Sequence, residues 1–65
     1  MKKWIVVFRK NGSLTETSYF RTARNTWSMF EDAALVHTSW KEAVDSAMKA
    51  RMAAKVTGIV VEEIQ

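Results

Sequence analysis

The sequence contains a run of five apolar residues, Trp4 to Phe8, with basic residues on both sides, and this run limits the possible folds. Successive side chains of a strand point to opposite faces, so a strand that meets water on one face alternates apolar and polar residues. This run does not alternate. It therefore predicts a central strand that is covered on both faces, by the rest of the chain or by another molecule.

A turn signal follows at Asn11-Gly12, ahead of a Thr-rich segment. Asn-Gly accepts positive φ at both central positions of a type I′ turn, whose twist matches that of a hairpin. The pattern predicts strands over 3–10 and 13–21, with Lys10 opposite Ser13. On this register one face carries Trp4, Val6, Phe8, Thr15, Thr17 and Tyr19, and the other carries Ile5, Val7, Leu14 and Phe20.

Helix signals dominate the second half of the chain. Ser39 and Glu42 have the spacing of a capping box, in which each side chain bonds to the backbone N–H of the other residue. A stripe at helical spacing follows and predicts a helix over 40–54; it consists of Trp40, Ala43, Val44, Ala47, Ala50 and Ala54. After a turn that ends at Gly58, residues from Ile59 read as a closing strand, expected beside the first strand and parallel to it through a right-handed crossover.

The segment between the hairpin and this helix is ambiguous. Ser28 and Glu31 form another capping-box pattern, which favours a short helix over 29–36. Its apolar residues form no clean stripe, and Ala33–His37 could instead be a short strand. The predicted fold is α+β, a single domain over 1–65 in the order ββ(α)αβ, with a helix packed on a three-stranded sheet.

Composition argues against disulfides, metal or cofactor sites and membrane spans. The chain has no Cys and a single histidine, His37, so disulfides are absent and neither a metal nor a cofactor is expected. No apolar run approaches the ~20 residues of a membrane span. The lack of Cys fits a reducing compartment, which makes the cytoplasm the expected location. A core this small makes a partner chain, including a second copy, a plausible source of stability.

No catalytic constellation is evident in the sequence. His37 stands beside Thr38 and Ser39 at the start of the predicted helix, where it supplies one element of a triad and no more. Glu62 and Glu63 are adjacent in a strand and point to opposite faces, so they do not flank one substrate. Two glycines do not form a phosphate-binding loop. We expect a binding protein rather than an enzyme.

Charge is unevenly distributed along the chain. The net charge is +3, yet residues 1–24 hold six basic residues and one acidic residue. Cations that follow phosphates and rings that stack on bases are typical of β-surfaces that bind RNA or single strands. The alternative is that the rings form the core and the cations surround it. The predicted partner-binding residues are Lys3, Arg9, Lys10, Arg21, Arg24, Trp27 and Arg51.

Protein binding is the function that the sequence favours most. If residues 22–37 leave part of the sheet uncovered, an apolar patch remains, and such a patch on a small domain marks a protein interface. Met29, Met48 and Met52 suit the rim of such an interface because methionine side chains are adaptable. The equal alternative is that they fill gaps in the core. Nucleic-acid binding through the basic hairpin is the alternative.

The pattern of a Lys-Lys-Trp start, Thr38–Val44, a helix, and then Gly58-Ile59-Val60-Val61 resembles small bacteriophage proteins that regulate their host. The inhibitor of host RNA polymerase from phage T7 has a similar helix-then-Gly-then-strand ending. The resemblance implies a small regulator that binds a larger protein. Our leading hypothesis is a phage or mobile-element regulator that acts by occlusion, with a homodimer as one form. It assigns no functional residue.

Overall fold

The computed structural model describes residues 2–11, 16–54 and 58–64. Its strands are β1 (Lys3–Asn11), β2 (Glu16–Arg21), β3 (Trp27–Ser28) and β4 (Ile59–Ile64), and its helices are a 3-10 turn at Glu31–Ala33 and α1 (Trp40–Ala54). The strands form one sheet in the order β3-β2-β1-β4, and every neighbouring pair is antiparallel. The predicted α+β class is confirmed, with four strands in place of three because of the short β3.

β1 has a strand on each side, which confirms its predicted central position. Val6 is fully buried in the cluster formed with the helix. Ile5 and Val7 point to the other face and are only 2% and 1% exposed. Val7 lies opposite Phe20 on β2 and Val60 on β4. The unbroken apolar run of β1 is therefore explained by burial on both faces.

The hairpin differs from the prediction in its register. β1 and β2 remain paired as far as Asn11 opposite Glu16, and Lys10 lies opposite Thr17 rather than Ser13. The predicted two-residue turn at Asn11-Gly12 is therefore wrong, and residues 12–15 lie outside the described residues. The shift from position 13 to 17 is even, so the described side chains keep their predicted faces.

The two faces of the sheet differ in their cover. Val6, Ala47, Ala50 and Ile59 form a buried cluster, against which Phe8, Trp27 and Val61 pack. We call this the helix-covered face; by register it also carries Tyr19 and Glu63. The opposite face, on which α1 does not lie, is called the helix-free face, and it carries Ile5, Val7, Phe20, Val60 and Glu62.

α1 begins and ends where the sequence predicts. The Ser39 hydroxyl accepts the N–H of Glu42 at 3.4 Å, and the Ser39 carbonyl accepts the N–H of Ala43 at 3.1 Å. The predicted N-cap is therefore confirmed. Over residues 40–53 of the helix, whose burial the structure describes, Ala43, Ala47 and Ala50 are buried, with exposed fractions of 0%, 6% and 1%. Because these side chains are small, the helix backbone approaches the sheet closely.

The helix predicted over 29–36 is wrong. Only Glu31–Ala33 is helical, as a single 3-10 turn. The Ser28 hydroxyl accepts the N–H of Phe30, two residues on, at 3.1 Å, so it closes a local turn instead of capping a helix.

Extended structure follows this turn, closer to the strand alternative. Ala34 forms an isolated bridge with Thr22 and His37 forms one with Trp4. The N–H of Leu35 donates to the Arg21 carbonyl at 2.9 Å. These backbone groups bond across the sheet rather than within a helix, and this long-range pairing overrides the local capping signal.

β4 is antiparallel to β1, so the predicted parallel crossover is wrong. His37 exchanges two backbone hydrogen bonds with Trp4, at 2.8 and 2.9 Å, so α1 starts near the beginning of β1. Its 15 residues span roughly 22 Å, about the length of seven strand residues. The helix therefore ends near the far end of β1, where the Gly58 carbonyl accepts the Arg9 N–H at 3.0 Å. From that end β4 runs back along β1.

Gly58 has a φ of +91°, and a Cβ at this position would lie 2.8 Å from the carbonyl oxygen of Arg9. We expect Gly58→Ala to lower the free energy of unfolding by about 2 kcal/mol, because it adds left-handed strain and a backbone clash. Urea denaturation measures the loss. Asn25→Gly is the control: Asn25 already has a φ of +59°, so glycine should cost little there. A loss below about 0.5 kcal/mol for Gly58→Ala would contradict this account.

Close packing of α1 through alanine gives a second test. Ala47→Leu should destabilise the chain by about 2 kcal/mol because the added methyl and methylene groups overfill the contact with Val6 and Ile59. Ala53→Leu is the matched control, since Ala53 is exposed and leucine is a good helix former. Chemical denaturation of both variants compares them; equal effects would show that α1 does not pack tightly at position 47.

Candidate functional site

The structure separates the basic residues that the sequence places in one hairpin. Lys3 lies at one end of β1, opposite Ile64, and Arg9 lies towards the other end. Arg24 is exposed in the turn between β2 and β3, and Arg51 is exposed in the last turn of α1. The side chain of Lys10 is outside the described part of the chain. The described cations therefore lie at both ends of the sheet and on the helix.

Arg9 is engaged within the sheet. Its guanidinium binds both carboxylate oxygens of Glu62 on the neighbouring strand β4. The two side chains are 43% and 29% exposed, so solvent screens the pair. Ion pairs of this kind contribute about 0.2–1 kcal/mol. The pair compensates the charge of Arg9 on the helix-free face.

Trp27 belongs to an aromatic cluster on the helix-covered face. The ring of Phe8 lies 5.7 Å from that of Trp27 and 6.1 Å from that of Tyr19. The Arg21 guanidinium lies 5.0 Å from the centre of the Trp27 ring, in a cation–π contact. Phe8 and Trp27 also pack against the buried core cluster. These rings therefore contribute to the core, the alternative that the sequence left open.

A shallow cleft lies on the side of α1 towards β2. It has a volume of about 540 Å³ and is lined by Arg21, Asn25, His37, Glu42, Asp45, Ser46, Lys49 and Ala53. Its lining combines two cations, two carboxylates and one imidazole. Among the residues that the structure describes, no group of three His, Cys, Asp or Glu side chains could hold a metal ion. This mixed charge favours no single class of ligand.

Exposed apolar side chains are concentrated in residues 29–36, which we call the apolar segment. Met29 is 63% exposed, Phe30 72%, Leu35 38% and Val36 44%. Glu31 and Asp32 are exposed between them. Leu35 is anchored to Arg21 and Phe30 to Ser28 by backbone N–H donation, at 2.9 and 3.1 Å. The segment therefore presents apolar side chains from a backbone that is bonded at both ends.

A second set of exposed apolar side chains lies on α1. Trp40, Met48 and Met52 are 59%, 54% and 78% exposed. Met48 and Met52 are therefore not fillers of gaps in the core, whereas Trp40 was expected in the buried stripe of the helix. Its position at the first residue of α1, ahead of the alanines that face the sheet, explains the difference.

Sequence reasoning missed Phe30, Leu35, Val36 and Trp40 as surface residues. Apolar residues are usually counted towards the core, and only their contacts in the fold show which of them lack cover. One signal was available: the apolar residues of 29–36 fit neither a helical stripe nor a strand alternation, which is what a surface segment shows.

The Arg9–Glu62 pair is tested by a double-mutant cycle. Arg9→Gln and Glu62→Gln should each lower the free energy of unfolding by about 0.5 kcal/mol. The double variant should lose no more unfolding free energy than a single variant, since both substitutions remove the same interaction. Urea denaturation at low salt and again at ~1 M NaCl, where screening reduces the coupling, provides the measurement. Fully additive losses would show that the two side chains act independently.

Within the described residues, no helix is both long enough and apolar enough to cross a membrane. A scan against protein-family models found no match, and searches of curated proteins and of solved structures found none.

Proposed function

We propose that this chain is a non-enzymatic regulator that binds a larger protein through the apolar segment. The observation that carries the proposal is the exposure of Phe30, 72%, next to that of Met29, 63%. Burying a side chain of this size stabilises a contact by about 1.5–3 kcal/mol. A domain of 65 residues has few large side chains, and leaving these two in water withdraws them from its small core. A partner that covers them accounts for their position.

Hydrogen bonds at both ends prepare the segment for binding. The Ser28 hydroxyl holds the N–H of Phe30, and the Arg21 carbonyl holds the N–H of Leu35. A segment that is already ordered loses less entropy when it binds, so more of the contact energy contributes to affinity. Aromatic anchors on an ordered segment are the residues that dominate protein interfaces.

Charge around the anchors indicates the chemistry of the partner. Glu31 and Asp32 are exposed between Phe30 and Leu35. The complementary surface is an apolar groove bordered by Lys or Arg, because opposite potentials steer association and fix orientation. A domain of this size that fills such a groove regulates its partner by occlusion, which is consistent with the likeness to small phage regulators of larger proteins.

Nucleic-acid binding through the basic hairpin stands second. Arg9 is bound to Glu62, and Arg21 is stacked on Trp27. The rings of Phe8 and Trp27 pack against the core instead of offering open faces to bases. The arrangement of these residues is the reason for placing protein binding first.

Capture from a native host lysate tests the proposal, with matched variants as bait. Phe30→Asp should reduce the retained partner at least tenfold because it puts a charge into an apolar contact. Met52→Asp is the control, since Met52 is 78% exposed but lies on α1. Wild-type and Met52→Asp baits should retain the same protein after nuclease treatment, and titration of that purified protein should reproduce the difference.

Two results would contradict protein binding through this segment. Equal retention by the Phe30→Asp and wild-type baits would show that the apolar segment is not the contact surface. Loss of all retention after nuclease, with a steep dependence on salt, would favour the nucleic-acid alternative.

A further inference from the structure

β4 forms one edge of the sheet. It pairs with β1 on one side, and no strand of residues 2–11, 16–54 or 58–64 lies on its other side. Because the Arg9 N–H bonds to the Gly58 carbonyl, the alternation of an antiparallel ladder turns the backbone groups of Ile59, Val61 and Glu63 outwards. β4 contains no Pro or Lys, two common means of blocking an edge. The strand is therefore open to pairing.

An apolar flank of α1 stands beside this edge. α1 packs on β1 and β4, and the cleft lined by Asp45 and Lys49 marks its side towards β2. Positions 40, 44 and 48 lie on the opposite side of the helix, at about 100° per residue, and so face the β4 edge. These positions hold Trp40, Val44 and Met48, of which Val44 is half-buried and the others are more than half exposed.

Two exposed charges stand at opposite ends of this edge. Glu63 lies opposite Trp4, near the start of α1. Arg51 lies in the last turn of α1, on the same flank as Trp40 and near the Ile59 end of β4. The helix rises roughly 16 Å from Trp40 to Arg51, and β4 extends roughly 13 Å from Ile59 to Glu63. Arg51, near Ile59, and Glu63 therefore lie at similar distances from Val61, on opposite sides of it.

We propose that this face binds a second copy of the chain, with the two β4 strands antiparallel and Val61 on the two-fold axis. Ile59 then lies opposite Glu63 of the second copy, so the outward backbone groups of each strand bond to those of the other. The same operation places each Arg51 beside the other copy's Glu63, and packs the two Trp40–Met48 flanks together.

Self-complementarity argues for a second copy over a foreign strand. A two-fold interface needs one patch whose features match themselves after rotation, and the strand, the apolar flank and the two charges all meet this condition. A foreign strand would pair with the outward backbone groups of β4 but leave the flank of α1 at Trp40 exposed. A stable interface buries about 600 Å² or more on each copy, a small part of the 5002 Å² accessible surface of the chain.

The dimer leaves the apolar segment free and presents it twice, which raises avidity for a repeated partner.

Sedimentation equilibrium of the full chain tests the proposal, with twice the 7.5 kDa chain mass expected at high micromolar concentration. Arg51→Glu and Glu63→Lys should each raise the dimer Kd about tenfold, because each creates two like-charged contacts across the axis. Their combination should restore the Kd to within about threefold of wild type. Lys49→Glu, on the cleft side of α1, is the control and should leave the Kd nearly unchanged.

A cross-link provides an independent measurement that does not depend on charge. The chain has no Cys, so Val61→Cys should form a disulfide between copies on oxidation, whereas Met52→Cys, away from the axis, should form far less. Circular dichroism confirms that each variant is folded. A folded chain that stays monomeric at ~0.5 mM, or charge reversals that the double variant does not rescue, would overturn this dimer and leave the function of the apolar segment untouched.

Discussion

The burial of β1 between β2 and β4 organises the other elements of the fold. Ile5, Val6 and Val7 are 2% or less exposed, so the strand must be paired on both edges and shielded on both faces. Alanine residues of α1 shield one face, and neighbouring side chains such as Phe20 and Val60 border the other. In the sheet of the described residues, β4 pairs with β1 alone and is an edge strand.

A core built on short side chains accounts for the surface of the molecule. α1 contacts the sheet through Ala43, Ala47 and Ala50, which leaves Trp40 and Met48 on its flank. The segment that enters α1 is held by backbone bonds to Arg21 and Trp4, which leaves Phe30 in solvent. Large apolar side chains thus collect at two separate places, and we interpret one as a site for a larger protein and the other as a site for a second copy.

Much of the secondary structure was predictable because its signals are local. The Ser39 cap and the stripe of alanines define α1 to the residue, and the apolar runs locate β1 and β4. The candidate surface was far less predictable. Exposure of Phe30 depends on which atoms of the fold come near it, and the pairing of Arg9 with Glu62 joins residues that are 53 positions apart.

The α+β class, the central place of β1 and the limits of α1 were predictable from the residues alone, since these features follow from the capping, periodicity and burial of contiguous residues. The hairpin register, the extended path of 34–37 and the antiparallel direction of β4 became clear only from the folded chain. Each of these depends on which distant backbone group accepts a hydrogen bond, as His37 does from Trp4. Local patterns carry little information about such partners, because many registers satisfy the same alternation of side chains.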